Sequence, residues 1–203
     1  MANFITLSRL PLLALILVML FTADFGLRLA ASGLIVLLIL MDSLDGFVAR
    51  RRQETSLLGS ALDIATDRAV ELLLWVTFAA LGLIPFVIPL VVIARGTLTD
   101  SIRAVAVSRG VRAFEIQRAP GSRFLVASPA MRTSYAIAKA AAFFLLALNL
   151  ALQSAPPPAK SPTWLGIASQ GLAWTAFALC LARGLPVLIE APAYFREHEP
   201  AEK

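Results

Sequence analysis

Long apolar stretches separated by short polar segments dominate this chain, and six of them predict helices. Their expected bounds are Phe4–Phe21, Leu27–Arg50, Leu57–Leu81, Ile84–Val107, Thr133–Leu152 and Trp164–Ile189. Because a helix needs about 20 apolar residues to cross a bilayer, each stretch is a candidate membrane span. The first stretch has no basic segment ahead of it and five more follow, so we interpret it as a retained helix rather than a signal peptide.

Composition supports an all-α, polytopic membrane protein. Of the 203 residues, 59% are hydrophobic and 15% are charged, whereas soluble domains average about 25% charged residues. Six spans fill a chain of this length, so we expect a single membrane domain over residues 1–203, ending in a polar tail at 190–203. The connection Ser108–Ala130 is predicted to be a loop, since it contains four helix breakers: Gly110, Pro120, Gly121 and Pro129.

The distribution of positive charge predicts the orientation of the spans. Arginines concentrate after the second stretch and around the connection between the fourth and fifth: Arg50, Arg51, Arg52, Arg103, Arg109, Arg112, Arg118, Arg123 and Arg132. Because such an excess marks the cytoplasmic side, both termini are predicted to be cytoplasmic. Topology and contact with anionic lipid account for most of these arginines, and we expect no nucleic-acid partner.

Four aspartates and several small residues are spaced so that they share helix faces. On the second predicted helix the positions i, i+3, i+4 and i+7 are Asp42, Asp45, Gly46 and Ala49. On the third, the positions i, i+4 and i+8 are Gly59, Asp63 and Asp67. A very short polar turn joins the two helices, so the two stripes are expected to face each other near the cytoplasmic end.

Oxygen ligands and close negative charges predict a metal site. Four ionised carboxylates would repel one another strongly, and one or two hard divalent cations would resolve that conflict. Mg²⁺ or Mn²⁺ suits such ligands, and neither Cys180 nor His198 is positioned for a softer metal. The glycines and alanine of the stripes leave room for a substrate, and Arg50 is placed to meet a phosphate.

Other interpretations of the acidic residues stay open at this point. Pairs such as Asp67 with Arg68, or Arg95 with Asp100, could be structural. A divalent-cation transporter would also contain intramembrane carboxylates, although it calls for acidic groups near the bilayer midplane and commonly for an internal repeat. An inactive scaffold of the same fold is a third alternative, against which the intact set of four aspartates argues.

The two acidic stripes together resemble the signature of the CDP-alcohol phosphotransferase family. The matching pattern is Asp42-x2-Asp45-Gly46-x2-Ala49-Arg50-x8-Gly59-x3-Asp63-x3-Asp67. The opening Asn3-x2-Thr6-Leu-x-Arg9-Leu-Pro11 is similar to that of bacterial phosphatidylglycerophosphate synthases and their close relatives. The chain is thus identified as resembling the phosphatidylglycerophosphate synthase-like members of this family.

The resemblance implies a phospholipid-synthesising enzyme that transfers a phosphatidyl group from CDP-diacylglycerol to an alcohol and releases CMP. It further implies two bound Mg²⁺ or Mn²⁺ ions, a homodimer and a location in the bacterial inner membrane. Asp42, Asp45, Asp63 and Asp67 would be the metal ligands, with Asp67 also the general base. The CDP-binding residues would be Gly46, Ala49, Arg50 and Gly59.

Basic residues near the fourth and fifth helices favour a phosphorylated acceptor. The candidates for binding it are Arg103, Arg109, Arg112, Arg132 and Lys139, and Arg9 in the opening supports the same hypothesis. Glycerol 3-phosphate is the first choice. The glycerol 3-phosphate relatives often carry Gly-Lys-x-Lys-Thr before the fifth helix, where this chain has Met131-Arg132-Thr133. Inositol phosphate or another polar alcohol therefore stays open.

Overall fold

The computed structural model describes residues 2–52, 57–108, 120–157 and 161–197, and their regular structure is helical. The helices are α1 (Ala2–Phe21), α2 (Phe25–Arg52), α3 (Leu57–Ala80), α4 (Val87–Ser108), α5 (Pro120–Ala127), α6 (Pro129–Gln153) and α7 (Thr163–Glu197). The prediction of an all-α fold is confirmed, and six of these helices coincide with the six apolar stretches.

Helix α5 lies where the sequence predicted only a loop. It begins at Pro120, a position where proline is tolerated because the first helical residues have no intrahelical partner for an N–H group. The loop prediction is therefore wrong for residues 120–127, and also for Pro129 and Ala130, with which α6 begins. Residues 109–119 of the same connection lie outside the described part of the chain.

Helix α7 continues past its predicted end at Ile189 and reaches Glu197. Its last turns carry apolar residues as well as charges. Ala191 is buried against Ala106 of α4, and the partly buried side chains of Ile102 and Phe195 pack around them. This packing explains why residues 190–197 are helical although the sequence predicted a polar tail there.

Two of the described helical segments are long and apolar enough to cross a membrane: Pro129–Gln153 and Thr163–Ala193. Shorter apolar helices cover Thr6–Phe21 and Phe25–Met41. These segments agree with a membrane protein. Six complete spans remain a prediction.

The chain divides into two compact units. Unit 1 is Met1–Pro89 with Ala140–Ala173, and unit 2 is Leu90–Lys139 with Trp174–Lys203. In unit 1, α1 packs against both α2 and α3. The Trp75 ring of α3 meets the Phe143 ring of α6 edge-on, with 4.8 Å between the centroids.

The buried face of α1 has a regular seam, which consists of Thr6, Arg9, Leu13, Ile16 and Leu20. Steps of three and four residues place these side chains on one side of the helix. Four of the five are ordinary packing residues for such a seam. Arg9 is the exception, since its side chain is only 1% exposed and carries a charge.

Helix α3 ends in a turn that depends on a glycine. Gly82 has φ of 72°, the left-handed conformation that residues with a Cβ rarely adopt. The Leu83 N–H donates to the Phe78 carbonyl at 2.9 Å, and the Gly82 N–H donates to the Ala79 carbonyl at 3.0 Å. This pair of bonds satisfies two of the last carbonyls of the helix and stops it.

Candidate functional site

Asp63 and Asp67 lie one turn apart on α3 and are both accessible. Their side chains are 52% and 51% exposed, although the neighbouring Thr66 and Val70 are buried. An i, i+4 spacing places the two carboxylates on the same face of the helix. We call them the aspartate pair. Gly59, one turn earlier, continues this face and is half-buried.

Arg9 reaches the aspartate pair from the buried seam of α1. Its Nη1 lies 3.9 Å from Oδ1 of Asp63, and its Nη2 lies 3.9 Å from Oδ1 of Asp67. Each of these two guanidinium nitrogens therefore faces a different carboxylate. At this distance the contacts are ion pairs rather than hydrogen bonds.

The other acidic stripe belongs to the C-terminal half of α2. Its backbone is helical through Asp42, Asp45, Gly46, Ala49 and Arg50, as predicted, but these side chains lie outside the described residues. Whether they meet the aspartate pair therefore stays a prediction. The two helices share a neighbour, because α1 packs against both.

The chemistry of the aspartate pair fits a hard divalent cation. Two accessible carboxylates one turn apart offer only oxygen donors, which Mg²⁺ and Mn²⁺ prefer. Among the described side chains, no group of three or more metal-ligating residues occurs, and those of Asp42 and Asp45 are not included. The described half of the predicted ligand set is therefore compatible with the ion.

Farther along α3, Arg68 pairs with Glu71. Nη1 of Arg68 lies 3.5 Å from Oε2 of Glu71, which is 4% exposed. The sequence suggested Asp67 as a structural partner for Arg68 and overlooked Glu71. An ion pair offsets the penalty of placing this carboxylate among apolar side chains.

Unit 2 contains a group of cations from three helices, which we call the cationic cluster: Arg95 and Arg103 of α4, Arg132 and Lys139 of α6, and Arg183 of α7. Arg183 interacts electrostatically with the three other arginines and with Tyr135. Nζ of Lys139 lies 5.4 Å from the centroid of the Tyr135 ring, and Cζ of Arg183 lies 5.6 Å from it. Both distances fit cation–π contacts.

The cationic cluster includes buried arginine nitrogens with unused hydrogen-bonding capacity. Nε of Arg95 and Nε of Arg183 are buried, and neither has a hydrogen-bond partner within the described ranges. Asp100 on α4 and Glu190 on α7 are half-buried acidic residues of the same helices. The cluster nevertheless holds more positive than negative described charges, so an anion would be stabilised there.

The predicted acceptor residues are thus brought together in part. Arg103, Arg132 and Lys139 belong to the cationic cluster, whereas Arg109 and Arg112 lie outside the described residues. Sequence reasoning did not assign Arg183 to the site and treated Arg95 as a possible structural partner of Asp100. The signal that could have found both is a lone arginine in an apolar helix, which by default indicates function.

A family model described as CDP-alcohol phosphatidyltransferase matches residues 1–182, nine-tenths of the chain. No curated protein matches the sequence. Members of the matched family are membrane-bound and generally metal-dependent. The matched region includes both acidic stripes. This match supports the transferase and argues against the divalent-cation transporter. The chain belongs to the CDP-alcohol phosphatidyltransferase family, whose chemistry is the transfer of a phosphatidyl group from a CDP-linked lipid to an alcohol.

Proposed function

We propose that the acceptor is a phosphorylated alcohol, with glycerol 3-phosphate as the first choice and inositol phosphate as the second. With glycerol 3-phosphate the product is phosphatidylglycerophosphate. The observation that carries this proposal is the cationic cluster, in which Arg183 interacts with Arg95, Arg103 and Arg132. A serine or choline acceptor would have no need of such a group of cations.

Charge and geometry both favour a phosphate as the ligand of the cluster. A phosphate dianion would offset the repulsion between neighbouring arginines and accept charge-assisted hydrogen bonds from their planar guanidinium groups. The buried Nε atoms of Arg95 and Arg183 are available donors. Tyr135 holds two of the cations, Lys139 and Arg183, on its ring, so the positive charge of α6 and α7 is gathered at one place in unit 2.

The donor would be CDP-diacylglycerol, bound through the four aspartates and the small residues between them. Asp42, Asp45, Asp63 and Asp67 would hold two Mg²⁺ or Mn²⁺ ions, which neutralise charge on the diphosphate. Gly46, Ala49 and Gly59 would allow the cytidine and ribose to approach the helices, and Arg50 would bind a phosphate oxygen. The accessible carboxylates of the aspartate pair support this assignment.

The transfer itself is a substitution at phosphorus. The acceptor hydroxyl oxygen attacks the phosphorus that carries the diacylglycerol, and the bond from this phosphorus to the bridging oxygen breaks. CMP leaves with that oxygen, while Asp67 takes the proton of the acceptor hydroxyl as general base. Asp67 is suited to this role because its side chain is half exposed and belongs to the same helix face as Asp63.

The active site would be cytoplasmic, because acidic stripes and arginines occur together where the second predicted span ends and the third begins. On the basis of the family resemblance, the protein would form a homodimer in the bacterial inner membrane.

An acceptor screen tests the proposed function. Purified protein is incubated with CDP-diacylglycerol and Mg²⁺ or Mn²⁺, and CMP release is measured with glycerol 3-phosphate, inositol phosphate, glycerol, inositol, serine and choline. The expected result is metal-dependent release with a phosphorylated alcohol and little with its unphosphorylated counterpart. Efficient turnover with an unphosphorylated alcohol, and none with either phosphate, would overturn the acceptor assignment.

A further inference from the structure

The position of Arg9 is unusual for a charged residue. It occupies the buried seam of α1 between Thr6 and Leu13, where an aliphatic side chain would pack without any electrostatic penalty. A buried guanidinium is tolerated only when opposite charges compensate it. The structure identifies such charges, because the carboxylates of Asp63 and Asp67 each lie 3.9 Å from a different nitrogen of the guanidinium.

We propose that Arg9 is a positioning residue of the aspartate site, which fixes the spacing and orientation of the Asp63 and Asp67 carboxylates from the neighbouring helix. The inference rests on the proposed metal-binding role of these two aspartates. It assigns to α1 a part in the site, whereas the assigned ligands all belong to α2 and α3.

Three features of the contact support positioning rather than simple charge balance. The guanidinium is rigid and planar, so its two terminal nitrogens define two fixed directions. Each nitrogen faces a separate carboxylate, and a single ion pair would have needed only one of them. The separation of 3.9 Å is too long for a hydrogen bond, so Arg9 itself does not occupy a carboxylate lone pair of Asp63 or Asp67 by hydrogen bonding.

Arg9 is much more buried than Asp63 and Asp67, as a positioning role requires. Arg9 is 1% exposed and therefore held firmly by the packing of α1, whereas Asp63 and Asp67 are about half exposed. The firmly held cation can orient the accessible anions, whose outer surfaces remain open to an incoming ion. Groups that orient metal ligands in this way typically change metal affinity by about 10–100-fold when they are altered.

The test uses the full chain in detergent, with Mn²⁺ alone as the probe. Arg9→Lys keeps the positive charge but removes the planar guanidinium with its two terminal nitrogens. Arg9→Met removes both the charge and the guanidinium. Arg28→Lys and Arg28→Met are matched controls, since Arg28 is another arginine of unit 1 but contacts the Leu20 carbonyl and the Ser154 hydroxyl. Mn²⁺ binding is followed by the free-ion electron paramagnetic resonance signal, and thermal stability is measured in EDTA.

We expect Arg9→Lys to retain a Tm in EDTA close to that of the wild type. It should bind Mn²⁺ about tenfold more weakly, because the lysine ammonium is a point charge and cannot hold two carboxylates in fixed directions. Arg9→Met should bind more weakly still. The Arg28 variants should bind Mn²⁺ like the wild type, whatever their effect on Tm.

Two results would overturn the positioning role. Wild-type Mn²⁺ affinity in Arg9→Lys would assign Arg9 a structural role alone. Tighter binding in Arg9→Met would mean that Arg9 acts by repelling the ion. If the wild type itself binds no Mn²⁺, the proposed metal ligands fail and this inference fails with them, whereas metal binding without an Arg9 effect leaves the proposed function intact.

Discussion

Gly184 of α7 lies directly against the side chain of Arg95 of α4. A Cβ atom at Gly184 would be 2.4 Å from Nε of Arg95 and 2.5 Å from its Cγ, far closer than atoms in contact allow. The missing side chain at this position thus creates the space through which Arg95 passes α7, next to Arg183. The arrangement of the cationic cluster therefore depends on an uncharged residue.

Gly184→Ala should displace Arg95, because the alanine methyl group would take the space of its Cγ and Nε. The expected result is a rise of the acceptor KM by about tenfold with an unchanged donor KM, which steady-state kinetics can measure. Gly171→Ala is the control, since Gly171 belongs to the same helix and a Cβ atom there would meet nothing within 4 Å. Equal kinetics in the two variants would show that the Arg95 position does not matter for the acceptor.

Arg132→Ala, Lys139→Ala and Arg183→Lys should each raise the acceptor KM by about 10–100-fold, which corresponds to the loss of a charge-assisted hydrogen bond to phosphate. The donor KM should change little. Arg123→Ala serves as the control, because Arg123 is exposed on α5 and outside the cationic cluster. A comparable effect of Arg123→Ala would indicate a general influence of positive charge rather than a specific phosphate site.

Asp63→Asn should abolish turnover and weaken Mn²⁺ binding, because the amide removes a charge from the proposed metal site. Asp42→Asn and Asp45→Asn are expected to do the same. Asp24→Asn is the matched control, since Asp24 accepts a hydrogen bond from the Leu27 N–H at the other end of α2, and asparagine can replace it there. Full activity of any site variant at saturating Mg²⁺ would refute its role as an essential ligand.

Asp67→Asn should slow the chemical step far more than it weakens donor binding. Loss of a general base typically costs about 10²–10⁴-fold in rate, and loss of a metal ligand would add to this. Calorimetry of CDP-diacylglycerol binding, compared with single-turnover rates, separates the two effects. Lost donor binding without a further chemical defect would reduce Asp67 to a metal ligand.

Gly82→Ala should destabilise unit 1 without affecting the site directly. Forcing alanine into the left-handed conformation costs about 1–2 kcal/mol, which lowers Tm by roughly 2–8 °C in a protein of this size. Gly33→Ala is the control, because a Cβ there meets nothing within 4 Å and its backbone has no positive φ. A Tm of Gly82→Ala equal to or above that of the control would contradict the proposed role of the turn.

The apolar pattern predicted the helices well because their length and hydrophobicity are properties of the local sequence. Helix α5 was missed because proline and glycine break helix interiors, but Pro120 stands at a helix start. The end of α7 was missed because its last turns pack against Ala106 and Ile102 of α4, which are distant in sequence. Local patterns contain no information about such packing.

The candidate site was predictable only where its residues follow a regular spacing. The aspartates and small residues follow a strict helical spacing, so they could be identified together. Arg183 offered only the weaker signal of a lone arginine in an apolar helix, and Gly184 offered none, because a single glycine in an apolar run has no spacing to interpret. Their connection with Arg95 arises only when α4 and α7 lie side by side within unit 2.

The place of Arg9 also bears on how the chain is assembled during synthesis. Its partners Asp63 and Asp67 follow more than fifty residues later, so α1 is synthesised before either carboxylate exists. An arginine in a membrane helix raises the free energy of insertion by up to about 2.5–3.5 kcal/mol. For α1 as the membrane span that the sequence predicts, insertion would therefore be only weakly favourable until α3 is made, and docking of these two helices would complete it.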